Sequence, residues 1–91
     1  MTSILLPSSG AQAEIKDHIN LKMKELRAWM DAERSADLRA QYVYIAPCIQ
    51  AWELDFDPAD PESLDELDMS DFFTLSRAIS AVIRRTQAEK N

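Results

Sequence analysis

The sequence predicts a mainly α fold: one small domain of three to four helices with a short β-hairpin at its N-terminus. Apolar residues recur at spacings of four and three in Ile19, Met23, Leu26, Met30, again in Leu38, Tyr42, Ile45, Ile49, Trp52, and in Phe72, Leu75, Ile79, Val82 or Ile83. That period puts each set on one helix face. Two short apolar runs ahead of them flank Pro7-Ser8-Ser9-Gly10, a turn cluster that suits a hairpin. The 91 residues are 46% apolar with one Gly and four Pro, which suits one folded core rather than a low-complexity chain.

Residues 1–16 form the expected hairpin, with Ile4, Leu5 and Leu6 on one side and Ala13 and Ile15 on the other. Its loop is longer than the two-residue ideal. A two-stranded hairpin is marginal alone in water, so it is expected to lie on the helices or to be partly frayed. Residues 17–52 hold two helices. Asp17 or Asn20 suits the cap of the first, and Trp29 lies at the edge of its stripe. Arg34-Ser35-Ala36-Asp37 reads as a break, with Ser35 or Asp37 capping the second helix. Pro47 interrupts that helix, at a cost of about 3 kcal/mol if unkinked, and predicts a kink or a break into two pieces.

Residues 53–71 form an acidic connector with nine acidic residues and no basic one. Pro58 and Pro61 exclude regular helix there, while Ser63 and Glu66 match a capping box that opens a short turn. Leu54, Phe56, Leu64, Leu67 and Met69 are threaded through it, which predicts a docked connector rather than a loose linker. Residues 72–87 form the C-terminal helix, capped by Ser70 with Asp71 and closed by Arg84 and Arg85 at its negative end.

A chain this short buries only about 60 to 65% of its unfolded surface, so a partner or self-association is a natural source of further stability. The net charge is −6 and the pI about 4.6, which disfavours nucleic acid and anionic membranes as partners. The ten basic residues are confined to Lys16–Arg39 and Arg77–Lys90, leaving an acidic middle. One cysteine, Cys48, forms no internal disulfide and fits a reducing compartment. No apolar run suits a membrane span and no secretory leader opens the chain, so a cytoplasmic location is expected.

Asp55, Asp57, Ser63 and Glu66 fall at positions 1, 3, 9 and 12 of a calcium-loop template, but the required Gly is Asp60 and the next position is Pro61. A solvated acidic segment is the better reading. One histidine, His18, and one cysteine exclude the usual zinc ligation, and a Cys-His nucleophile pair lacks any third group. The only glycine, Gly10, builds no phosphate loop. No catalytic, cofactor-binding or metal residue is predicted, and the chain is not expected to be an enzyme. Among the large anchors, Trp29, Tyr44 and Phe73 fall off or at the edge of the stripes, which makes them the predicted partner-binding residues.

Leu5-Leu6-Pro7-Ser8-Ser9-Gly10 followed by Ala13 to Asp17 resembles the leading hairpin of small tail assembly chaperones from long-tailed, siphovirus-type bacteriophages. Ile49-Gln50-Ala51-Trp52-Glu53-Leu54, Asp60 to Leu67, Ser70-Asp71 and Leu75 to Ile79 are similar to that family's Ile-x-x-Trp segment, acidic Pro-bearing connector and closing helix. The likeness covers nearly the whole chain, although an Asp-Gly or Asn-Gly turn after the Trp is lacking. The resemblance implies a nonenzymatic assembly factor of the host cytoplasm, absent from the virion. Such proteins coat the tape measure protein, help recruit tail tube subunits, and are often also made in a longer frameshifted form. The alternative from charge alone is an acidic nucleic-acid mimic, or another protein-binding regulator, that places Asp55 to Asp71 in a basic cleft.

Overall fold

The computed structural model describes residues 2–89, in which β1 (Thr2–Leu5) and β2 (Gln12–Ile15) form the expected hairpin. Their register pairs Thr2 with Ile15 and Leu5 with Gln12. The turn is closed by Leu6 N–H to Ala11 O at 2.8 Å and Gly10 N–H to Leu6 O at 2.9 Å. Gly10 has a φ of 75°, a conformation that costs a residue without Cβ nothing. Asp71, 1% exposed, holds this turn from the far side of the chain. Its carboxylate accepts from Ser8 N–H at 2.7 Å and Ser9 N–H at 3.2 Å.

The hairpin is completed by a strand where a helix is expected. After α1 (Met23–Arg34) and α2 (Leu38–Ile45), Ala46–Cys48 forms a single 3₁₀ turn and Ile49–Trp52 becomes β3, antiparallel to β2 in the order β1-β2-β3. Pro47 cannot donate to Val43 O, so the helix stops before it. Beyond it the free edge of β2 supplies partners instead: Lys16 N–H donates to Cys48 O and Glu53 N–H to Gln12 O, both at 3.0 Å. Ile49 and Trp52 therefore leave the helical stripe and serve a sheet, correcting the expected helix over 17–52.

The first helix starts at Met23, later than an Asp17 or Asn20 cap requires; Lys22 N–H is satisfied by Glu25 at 3.0 Å. Ile19 is then outside the helix and the inward face turns to Trp29 and Ala32, while Met23 and Met30 are 67% and 45% exposed. Trp29 wins that face because its ring removes far more apolar area from water than a methionine. Asp37 caps α2 as expected, accepting from Ala40 N–H at 3.0 Å. Leu38 is 40% exposed, although its spacing placed it in the core.

The acidic connector carries a 3₁₀ helix over Pro61–Glu66, entered by Asp60, which accepts from Glu62 N–H at 3.0 Å. Ser63 is therefore inside the turn rather than its cap, and its hydroxyl donates to Asp57 O. α3 runs Met69–Glu89, about 30 Å long, so Ser70 and Asp71 lie in its first turn. Its buried face, Phe72, Leu75, Ile79, Val82 and Ile83, meets Leu6, Ala13 and Ile15 of the hairpin together with Trp29, Tyr42 and Ile45 in one core. Its last turns hold the segment before α1: Thr86 Oγ1 accepts from Ile19 N–H at 3.1 Å and Arg85 donates to Asp17 O at 2.7 Å.

Candidate functional site

Of the three predicted contact residues, the structure leaves Phe73 alone at the surface. Trp29 is 2% exposed and packs in the core, so its role as a surface contact is corrected. Its indole N–H is buried with no acceptor among the described residues. Tyr44 is half-buried against the core. Phe73, 42% exposed, meets Phe72 edge to face with ring centroids 5.6 Å apart.

Phe73 is joined by two residues that the sequence did not mark as surface contacts. Met69, one helical turn earlier, is 74% exposed, and Leu38 faces them from the first turn of α2. Together with half-buried Leu64 and Leu67 of the connector they line an open hollow of about 490 Å³ where α2, the connector and α3 meet. Arg39 crosses its edge, 3.7 Å from Asp65, with both side chains largely in water. The spacing of Leu38 pointed to the core, and Met69 was expected to dock the connector; both expectations are corrected by their exposure, Met69 because it opens α3 away from the core.

The connector is docked. Tyr42 Oη donates to Pro58 O at 2.8 Å and Trp52 Nε1 to Phe56 O at 2.6 Å, with the Trp52 and Phe56 rings edge to face at 5.3 Å. Burial pushes the Tyr42 phenol up to about 12, and the Asp57 and Asp60 carboxylates add to the rise. Those carboxylates are already used locally: Asp57 accepts from Ala59 N–H and Asp60 from Glu62 N–H. Among the described residues no group of three or more His, Cys, Asp or Glu could hold a metal ion.

His18 and Cys48 line the same hollow, of about 360 Å³, with Tyr44 and Pro47. The thiol donates to Tyr44 O at 3.2 Å, and burial raises its pKa, against a smaller opposing effect of Lys16. Both keep the sulfur protonated, the reverse of what a nucleophilic thiolate needs. A second groove, about 610 Å³ between α1 and α3, is lined by Leu26, Trp29, Met30 and Ile83, with Glu33 3.9 Å from Arg84 at its rim.

The chain matches no protein-family model, and no curated protein or solved structure is significantly similar to it. No helix of the described residues is long and apolar enough to cross a membrane. The hollow at the α2–α3 junction is apolar and open, with Asp65 at its edge.

Proposed function

We propose that this protein is a tail assembly chaperone of a long-tailed bacteriophage, binding the tape measure protein and keeping it soluble while the tail is built. One observation carries the reading. Leu38, Met69 and Phe73 are exposed together on a chain whose core gathers fourteen buried apolar residues among those described. Contiguous large apolar groups on a folded surface are costly to leave in water and commonly mark a protein contact. A net charge of −6 keeps such a surface dispersed until a partner covers it.

The order of hairpin, Ile-x-x-Trp segment, acidic connector and closing helix supports the same reading through its resemblance to that family. The protein acts by covering apolar surface, without covalent chemistry, in the host cytoplasm, and helps recruit tail tube subunits. Coexpression with the tape measure protein tests it. The expected result is a soluble complex that copurifies, and its loss when Met69→Ser and Phe73→Ser are combined. Absence of a complex together with no gain in solubility would count against it.

A further inference from the structure

We infer that the surface joining Phe73 to Val43 takes one amphipathic helix whose apolar stripe is flanked by Lys or Arg. The inference rests on the reading above only in treating this surface as a protein-docking site. Two hollows meet at Arg39: the one described at the α2–α3 junction, and another of about 380 Å³ lined by Tyr42, Val43, Pro47 and Ala59. Val43 is 61% exposed and continues the apolar track begun by Met69 and Phe73.

The track runs along α2 and its 3₁₀ extension, about 18 Å, the length of a helix of about 12 residues. A helix suits it better than an extended strand. The walls are helix flanks and side chains that offer no free ladder of backbone groups, so a strand would bury unpaired N–H and C=O groups. A helix satisfies its own backbone and presents apolar side chains at i, i+3 or i+4, and i+7.

The flanking charge follows from the rim. Asp37 caps α2 beside Leu38, Asp65 lines the first hollow, and Asp57 and Asp60 lie near Tyr42 on the second. Arg39 is the only Lys or Arg between Arg34 and Arg77, and Asp65 already pairs with it. A segment with acidic flanks would meet these carboxylates with one cation to offset them, and one with basic flanks would complement them. The groove between α1 and α3 lacks this bias, because Arg34 and Arg84 share its rim with Glu33.

Fluorescence anisotropy with the full chain tests this, using three labelled helical peptides of about 14 residues, sized to the track. One carries a Leu/Ile stripe with Lys and Arg flanks, one the same stripe with Glu flanks, and one the basic flanks with the stripe changed to Ser. The basic amphipathic peptide is expected to bind at least about tenfold more tightly than either control, and to weaken as salt is raised. Val43→Ser, at a 61% exposed position, and Phe73→Ser are each expected to weaken it several-fold while the chain stays folded at the assay temperature. Asp65→Asn is expected to narrow the gap between basic and acidic flanks. Equal binding of the Glu-flanked peptide, no binding of the basic one, or indifference to Val43→Ser and Phe73→Ser overturns the inference. A tape measure protein still solubilised in that event leaves the chaperone reading standing, so the two fail separately.

Discussion

Ala36 occupies the left-handed region with a φ of 57°, in a helix end that most chains build with glycine. Asp37 N–H reaches Ala32 O at 3.0 Å and Ala36 N–H reaches Glu33 O at 3.2 Å, the paired bonds that close α1. The methyl group bears the strain that glycine would avoid. Ala36→Gly is expected to raise stability by about 0.5 to 1 kcal/mol, read from urea melts. Asp71 presents the opposite case. Its buried carboxylate satisfies two backbone donors of the hairpin turn, and Asp71→Ala leaves both without their acceptor. A loss of about 2 to 3 kcal/mol is expected, measured by the same melts. Nothing local to Asp71 announces a partner more than sixty residues away, and its position suggested a helix cap instead.

The acidic connector is the element whose state decides the shape of the candidate site, because Leu64 and Leu67 form its wall. Both are half-buried against the core. Replacing both by Ser is expected to cost on the order of 2 kcal/mol or more, and a melting temperature unchanged from the parent would show the element to be loose. Tyr42 ties the same element to α2. A phenol raised from 10.0 to about 12 holds its proton more tightly folded than unfolded. Its contribution to stability is therefore complete below about pH 10 and is lost as pH rises toward 12. Phenolate absorbance followed with melting temperature should show the two changing together, and Tyr42→Phe should remove that alkaline phase. Threaded leucines made the docking legible in sequence. The strand at Ile49–Trp52 was not, because spacings of four and three suit a helix while the unpaired edge of β2 is visible only once the hairpin is placed.

Charge and apolar surface oppose one another over the whole molecule. Exposed Leu38, Val43, Met69 and Phe73 favour association, and the net charge of −6 resists it. Near the pI of about 4.6 that resistance vanishes. Light scattering against pH is expected to rise steeply there, and Met69→Ser with Phe73→Ser should reduce the rise. The candidate site was legible in part: Phe73 was named from lying off its stripe, and the reasoning that named Trp29 failed because α1 turns its Trp29 and Ala32 face to the core and leaves Met23 and Met30 outside.

Local chemistry alone determined the hairpin turn, a cap at Ser35 or Asp37, an interruption at Pro47 and the largely helical class, since each depends on residues within a few positions of one another. Composition likewise determined the acidic middle. Only the tertiary structure decided that the chain past Pro47 is a strand, that Trp29 is core, and that Leu38, Met69 and Phe73 share one surface. Those outcomes depend on which distant backbone edge needs a partner and which helix faces compete for a limited interior, and neither is encoded in the spacing of any single segment.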